Sequence, residues 1–429
     1  MCAGRVPGSI SLLRLVPDMP ARRTEVWITG IGLVSSLGEG LAEHWERLGP
    51  HAMPAVAVDS VRHSPYLIHP LVSLDFTRQI SKTSDQRQME RWQRIGVYAA
   101  GLALADAGIL GDPLLLDKVD LAIAAGNGER DVALDTRVLE AADTDEVPRG
   151  GLNQRLMAGL RPTFYLGQLS NLLAGNISIV HKATGSSRTF KGEEMAGVSA
   201  LEDAVARIAA GQSELMLVGG ALNAEREDLL LNLELGGALL QGSYRPIRAR
   251  TEAGGGMVPG SIGAFLVLEA PEHARIRGVK PHANVGAVAS DRSRRKPGDA
   301  VASARRLLQS LAPLIDDRRP LGVLSGASGV EPAMQEEAQF LKELAGESLD
   351  IAVRAYGSML GHGIEAHFLT GIALAALALS KGSFYAPFDG TEHEREIRPG
   401  ECRQILVTSF GHWRGEALGL IDAIPEGAS

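Results

Sequence analysis

Two short segments place acidic and histidine side chains where they could do chemistry. Residues 191–194 read KGEE and stand directly before a stretch with helical periodicity, and residues 362–367 read HGIEAH. Carboxylates and imidazoles serve as general acids and bases in enzymes. The same side chains are also common zinc ligands. These two segments are therefore the first candidates for a functional site.

The histidine segment does not fit a zinc helix. The inverted zincin motif has the pattern HxxEH, whereas residues 362–367 have the pattern HxxExH. The extra residue rotates the second histidine about 100° around a helix, away from the first. We therefore predict that no metal is bound.

Two glycine-rich segments resemble nucleotide-binding motifs, but neither matches the full pattern. Residues 26–32 read VWITGIG, but Ser35 stands where the dinucleotide fingerprint has Gly or Ala. The three consecutive glycines at residues 254–256 lack the lysine that a phosphate-binding loop places after its glycines. The sequence therefore predicts no cofactor.

Composition narrows the class of protein. The 429 residues carry a formal net charge of −8, and 45% are hydrophobic but only 4% aromatic. An acidic chain with few aromatic residues lacks the basic surface and the stacking side chains that nucleic-acid-binding proteins use. The longest apolar stretch, residues 368–379, is too short to span a bilayer. With only Cys2 and Cys402, and no secretory signal pattern, we predict a cytoplasmic protein without nucleic-acid or membrane partners.

Short β-rich stretches alternate with helical patterns, which predicts an α/β fold with mainly parallel sheets. Strands are predicted at residues 26–34, 120–125, 214–219, 264–269, 283–289, 321–324, 405–409 and 418–421, and helices at residues 91–107, 195–210, 301–311, 333–344 and 365–379. Residues 263–268 and 415–420 each begin with a glycine that leads into a hydrophobic strand, which suggests two similar halves. We predict an N-terminal extension at 1–24, one half at 25–270 and the other at 271–429.

Four segments, taken in order, resemble the β-ketoacyl synthase (ketosynthase) branch of the thiolase-like family. They are residues 28–38 (ITGIGLVSSLG), 174–220, 357–362 (GSMLGH) and 408–411 (TSFG). The resemblance implies a thiolase fold, with five αβαβα layers built from two similar halves. It also implies a dimer and acyl groups that arrive as thioesters on an acyl carrier protein.

The resemblance also identifies where catalytic side chains would lie. Ketosynthases place a nucleophilic cysteine at a helix N-terminus, and here that position is Glu194. The first catalytic histidine becomes Ser325, and the lysine becomes Gly357. Among the four catalytic side chains of the family only His362 is retained.

The closing glycine motif of the family also differs in this chain. Phe410, Gly411 and His412 correspond to the gate and oxyanion region, where paired backbone N–H groups hold a thioester oxygen. His412 stands in place of the gating phenylalanine, and Trp413 and Arg414 fill what the family keeps as a glycine turn. Both ends of the expected active site have therefore changed.

Purely structural interpretations remain open for the same residues. Glu194 can serve simply as an acid in the first turn of a helix. His362 can be a buried histidine with satisfied hydrogen bonds, and His412 and Trp413 can fill a disused pocket. None of these structural interpretations requires a ligand.

Three functions follow from this pattern. The first is a non-condensing subunit like a chain-length factor, in a heterodimer with a cysteine-bearing ketosynthase of polyketide or fatty-acid synthesis. The second is altered chemistry on acyl or malonyl carrier protein, such as decarboxylation, acyl transfer or hydrolysis, using His362 with Glu194 or His412. The third is a homodimer that binds an acyl-like ligand without reaction.

Overall fold

The computed structural model describes residues 23–53, 55–142, 151–160, 164–346, 349–391, 393–425 and 427. Most of the predicted N-terminal extension, residues 1–22, lies outside the described residues. Thr24 is already part of the fold, because its backbone N–H donates to the Gly286 carbonyl at 2.8 Å. The proposed division of the chain near residue 270 stays a prediction.

The described residues form eleven strands and fifteen α-helices. The strands are β1 (Trp27–Ser35), β2 (Gly38–Glu39), β3 (Asp120–Ala124), β4 (Ser187–Phe190), β5 (Leu215–Leu222), β6 (Ile262–Glu269), β7 (Ala283–Asp291), β8 (Leu321–Ser325), β9 (Ile351–Ala355), β10 (Gln404–Phe410) and β11 (Glu416–Asp422). The helices are α1 (Gly40–Leu48), α2 (Thr83–Gln88), α3 (Arg91–Asp106), α4 (Pro113–Leu116), α5 (Val132–Ala142), α6 (Gly151–Gly159), α7 (Phe164–Gly167), α8 (Leu172–His181), α9 (Glu194–Ala209), α10 (Glu227–Leu235), α11 (Pro271–Arg277), α12 (Asp299–Leu311), α13 (Ala333–Gly346), α14 (Gly357–Leu360) and α15 (His367–Ser380).

The strands form two half-sheets with the same plan. One has the order β4-β3-β5-β6-β1 and the other the order β9-β8-β10-β11-β7. In each, the first three strands are parallel to one another and the last two pair antiparallel. The half-sheets meet where β1 pairs with β7 at two positions. This repeat confirms the predicted construction from two similar halves.

Helices α9 and α15 lie between the two half-sheets. They contact each other and share one hydrophobic core with strands from both halves. Helices α3 and α8 cover the outer face of the first half-sheet, and α12 and α13 cover the outer face of the second. The result is the predicted five-layered αβαβα arrangement, with α9 and α15 enclosed on both sides.

The structure adds elements that periodicity missed. Strand β4 is a short edge strand whose residues are exposed or half-buried, so it does not stand out as an apolar stretch. Strand β9 is buried but has only five residues, one of which is Arg354. Helix α15 starts at His367 rather than at 365, because Ile364–Ala366 forms a short 3-10 helix. This difference changes where the two histidines of residues 362–367 point.

Candidate functional site

The N-terminus of α9 sets the position of Glu194. Gly192 has φ of 136°, and Glu193 holds φ of 51°, a left-handed conformation that a side chain rarely adopts. This turn delivers Glu194 as the first residue of the buried helix α9, with a residue exposure of 2%. A non-glycine residue in this conformation is typical of functional sites.

The Glu194 carboxyl group faces backbone N–H donors. The His412 N–H donates to Glu194 Oε1 at 2.7 Å, and Oε2 is buried without a hydrogen-bond partner in the described structure. Burial raises the pKa of Glu194 to about 7, although the N–H groups of Glu194 and His412 favour the ionised form. The carboxyl is thus held by the backbone N–H of His412, a residue of the predicted oxyanion region.

A tight turn, residues 411–415, closes over the start of α9. The Gly411 N–H donates to the Gly415 carbonyl at 3.1 Å, and a Cβ on Gly411 would lie 2.2 Å from the Arg414 carbonyl oxygen, so only glycine fits. Arg414 reaches Glu193 at 3.4 Å in a partly exposed ion pair. The turn is therefore attached to the α9 segment by both Glu193 and Glu194.

His362 lies in a stack of two buried imidazoles. Its ring centroid is 4.1 Å from that of His367, with an interplanar angle of 24°. The Ile364 N–H donates to Nδ1 of His362, and the Gly363 N–H donates to Nδ1 of His367, each at 3.2 Å. Neutral imidazoles held in this way carry their hydrogen on Nε2. Burial lowers the pKa of both rings, to about 3 for His367, so both are neutral at physiological pH.

Ser325 belongs to a buried polar network. Its hydroxyl donates to Glu337 at 2.7 Å and accepts from Arg248 at 2.9 Å. Arg248 and Thr408 also bond to the Glu337 carboxylate, which is fully buried. The Ser325 hydroxyl is thus engaged by partners within the protein.

The predicted site residues do not all contribute side chains to one place. Glu194, Gly411 and His412 come together at the α9 N-terminus, and His362 lies close to both His412 and His367. Gly326, next to Ser325, lies beside His367. The Phe410 ring, by contrast, packs against Phe340 in the outer core of the second half.

Sequence reasoning missed three residues of this region. The sequence pattern suggests His367 only as a rejected zinc ligand, although its position at the start of a long apolar stretch is a usable signal of burial. Arg248 and Glu337 form a buried ion pair at 3.1 Å, but they lie 89 positions apart and carry no local signature.

In the described part of the chain, no group of three or more His, Cys, Asp or Glu side chains could hold a metal ion. The histidines of residues 362–367 stack face to face, a geometry that does not direct both rings at one ion. Over the same described residues, no helix is long and apolar enough to cross a membrane.

The layered fold and the histidine-bearing site next to a buried helix N-terminus define a thiolase-fold protein. The family profile "Beta-ketoacyl synthase, N-terminal domain" matches residues 23–274, more than half of the chain. The chain belongs to the beta-ketoacyl synthase family.

Known relatives agree with this assignment. The chain is 26% identical over 377 residues to "Oxytetracycline polyketide putative beta-ketoacyl synthase 1" of Streptomyces rimosus, covering 84% of this chain and 86% of that one. It is 29% identical over 283 residues to 3-oxoacyl-(acyl-carrier-protein) synthase 2 of Rhizobium meliloti, covering 61% and 62%. Its fold matches "The ishigamide ketosynthase/chain length factor" with a TM-score of 0.73 and 20% identity, over 94% of this chain and 100% of that one.

Proposed function

We propose that this chain is a non-condensing ketosynthase-like subunit that acts with a cysteine-bearing ketosynthase in type II polyketide or fatty-acid synthesis. The observation that carries the proposal is the position of the Glu194 carboxyl. It accepts from the His412 N–H, one of the two backbone donors that a thioester oxyanion would need. A side chain of the protein itself therefore occupies the place of the substrate oxygen.

Glu194 is also unsuited to act as the nucleophile. A carboxylate that attacks a thioester forms a reactive anhydride rather than a stable acyl-enzyme. When ionised, its charge about 4 Å from a developing oxyanion opposes that oxyanion by roughly 4 kcal/mol at an effective dielectric constant of about 20. This corresponds to about a thousandfold in rate.

The second half of the expected machinery is equally altered. Ser325 offers no imidazole for an enolate, and its hydroxyl already donates to Glu337. Gly357 has no side chain, and a Cβ there would lie 2.7 Å from Cδ1 of Ile247 and 3.6 Å from Cε1 of His367. A lysine at this position would therefore require the Ile247 side chain to shift.

The partner assignment is supported by the surface beside β4. Strand β4 ends the sheet, and α8 next to it exposes 57% of Ile179. The short helix α7, which precedes α8 along the chain, exposes 63% of Tyr165 and 47% of Leu166. An open strand edge with apolar neighbours favours pairing with another chain. One structure of similar fold, with 18% identity and a TM-score of 0.68, is a type II polyketide acyl-carrier protein in complex with its ketosynthase, which supports a carrier protein as the second partner.

Purification of the tagged chain from its native cells, followed by native mass spectrometry, tests the proposal. We expect a heterodimer with a cysteine-bearing ketosynthase, and condensation of malonyl carrier protein that requires both subunits. The isolated chain should show no condensation. Glu194→Gln, which keeps a polar group in the same place, should leave the activity of the heterodimer within about twofold.

A stable homodimer with no affinity for any ketosynthase would overturn the proposal. If that homodimer turned over malonyl carrier protein and lost the turnover on His362→Ala, altered chemistry at the retained histidine would replace it. If it carried an acyl-like ligand without turnover, a binding protein would replace it.

A further inference from the structure

A cavity of about 460 Å³ lies at the opposite end of the second half-sheet from the candidate site. Leu321 and Gln404, the first residues of the parallel strands β8 and β10, border this cavity. Ser325 and Phe410 are the last residues of the same two strands. Strand β10 has seven residues, which corresponds to a length of about 20 Å. The cavity is therefore separate from the candidate site.

Two buried polar side chains form the inner wall of the cavity. Gln404 and Asp422 lie opposite each other on β10 and β11, and both are buried. Gln404 Nε2 donates to Asp422 Oδ1 at 2.7 Å and to the Leu314 carbonyl at 3.0 Å. Gln404 Oε1 accepts from the Asp316 N–H at 2.7 Å. These hydrogen bonds hold the 314–320 loop against the ends of the strands, so the cavity is pre-formed.

The remaining walls carry four arginines, Arg23, Arg318, Arg319 and Arg403. Two of them are engaged by carboxylates of the cavity itself. Arg318 Nε lies 2.7 Å from Asp316 Oδ1. Arg23 Nη1 lies 3.2 Å from Asp422 Oδ2. The positive charge of these two guanidinium groups is therefore balanced within the wall.

The other two arginines have weaker partners. Arg319 Nε is 3.8 Å from Asp316 Oδ2, on a carboxylate that Arg318 already engages. Arg403 donates to the Ile424 carbonyl at 3.1 Å and forms no ion pair with any described residue. The planar guanidinium group binds phosphate oxygens through parallel N–H bonds. Two such groups thus remain for an anion.

The overall charge of the lining also favours an anion. Besides the four arginines the cavity has three aspartates, of which Asp317 is exposed at the rim. The lining is thus net positive in a chain whose formal net charge is −8. Its volume lies within the range of small-molecule sites. A single tetrahedral anion would fill only part of this space.

We propose that the cavity binds a diphosphate group, either free or as part of a nucleotide. The phosphate oxygens accept hydrogen bonds from Arg319 and Arg403, which belong to different segments of the chain and therefore suit two linked anionic groups. Gln404 and Asp422 keep the wall in shape. The inference goes beyond the proposed function, because both the place in the fold and the class of ligand differ from those of acyl transfer.

Calorimetric titration of the purified protein tests the inference. Diphosphate, phosphate, sulfate and ADP are compared at constant ionic strength in a buffer without divalent metals. We expect diphosphate or ADP to bind about tenfold or more tightly than phosphate and sulfate, because a second charged group adds charge-assisted hydrogen bonds. Tighter binding of ADP would identify a nucleotide, and tighter binding of diphosphate would identify the free anion.

Variants separate the cavity from general attraction of anions. Arg403→Gln and Arg319→Gln should each weaken the binding of the preferred ligand about tenfold. Arg319 is exposed, so its variant provides an independent measurement if Arg403→Gln does not fold. Asp317→Asn removes a negative charge from the rim and should strengthen binding several-fold. Arg398→Gln, which removes an exposed arginine outside the cavity, should bind within about twofold of the parent.

Diphosphate and ADP that bind no more tightly than sulfate would overturn the inference. An equal loss of affinity in Arg398→Gln and in the two cavity variants would also overturn it, since binding would then reflect only the charge of the surface. None of these measurements involves a carrier protein, a thioester or the partner subunit. The inference and the proposed function can therefore fail separately.

Discussion

Glu194 is a buried carboxylic acid whose Oε1 accepts a hydrogen bond from the His412 backbone N–H. Its pKa is raised by burial from 4.5 to about 7, so between these pH values the folded state holds a proton that the unfolded state has lost. The stability gained from this proton is present below pH 4.5 and is lost as the pH rises towards 7. The Glu194→Gln variant cannot titrate at this position.

Measured from pH 4.5 to 7, the free energy of unfolding of the parent should therefore fall relative to that of Glu194→Gln, by on the order of 3 kcal/mol. Urea unfolding at several pH values gives both curves. Glu343→Gln, which removes a partly exposed carboxylate whose pKa is lowered by its hydrogen bond with Arg305, serves as a control and should run nearly parallel to the parent over this range. Parallel curves for Glu194→Gln would contradict the burial argument.

His367 stabilises the same region through packing. Its ring is 3% exposed and lies between the rings of His362 and Tyr356, at centroid distances of 4.1 and 4.5 Å. His367→Ala should reduce the free energy of unfolding by about 2–4 kcal/mol, because it leaves a cavity and an unpaired Gly363 N–H. The exposed His51→Ala should change it by less than about 0.5 kcal/mol. Equal effects in denaturant titrations would show that the stack contributes nothing.

For individual residues, the sequence predicted the place in the fold more accurately than the burial or the hydrogen-bond partners. The resemblance puts the nucleophile position at Glu194, and in the structure Glu194 is the first residue of a buried helix. The pairing of its carboxyl with the His412 N–H joins residues 218 positions apart, and no local pattern encodes that contact. The roles of Glu194, Ser325 and His362 in a reaction stay predictions.

At the level of elements, glycine determines how closely β1 packs on α3. A Cβ on Gly32 would lie 1.9 Å from the Ala99 carbonyl oxygen, which is backbone and cannot turn away. Gly32→Ala should therefore destabilise the protein by about 3 kcal/mol, as measured by thermal or urea unfolding.

Gly175 in α8 provides the matched control. Its nearest neighbour would be Leu172 Cδ2 at 3.7 Å, which is ordinary contact, and alanine is the better helix former. Gly175→Ala should leave stability unchanged or raise it by up to about 1 kcal/mol. A Gly32→Ala variant as stable as Gly175→Ala would refute the close approach of strand and helix.

The predicted elements that match the structure are those with strong periodicity and burial. Predicted strand 283–289 and helix 301–311 correspond to β7 (Ala283–Asp291) and α12 (Asp299–Leu311). Strand β4 reads SRTF and has no apolar alternation, because a parallel edge strand needs one neighbour and little burial. Such a strand is determined by the sheet with which it pairs, so its own residues do not predict it.

In the whole molecule, helices α9 and α15 lie between the two half-sheets and are covered by protein on both sides. This enclosure explains why Glu194 and the two stacked histidines have shifted pKa values, since burial is the largest cause for each. The resemblance predicted this architecture because its motifs run in order along most of the chain. Contacts between the halves, such as that of Glu194 with the 411–415 turn, depend on the assembled fold and could not be read from either segment.

Strand β4 forms the open edge of the first half-sheet, and Ile179 on α8 lies beside it. A charge at Ile179, beside strand β4, would be buried without a partner if this surface pairs with another chain. Ile179→Asp should therefore weaken association at least tenfold, as measured by native mass spectrometry over a dilution series, with little change in unfolding of the subunit. Ile276→Asp, equally apolar in the parent and 77% exposed on α11, should associate like the parent. If Ile179→Asp associates like the parent, the partner binds another surface and the edge of β4 is not the interface.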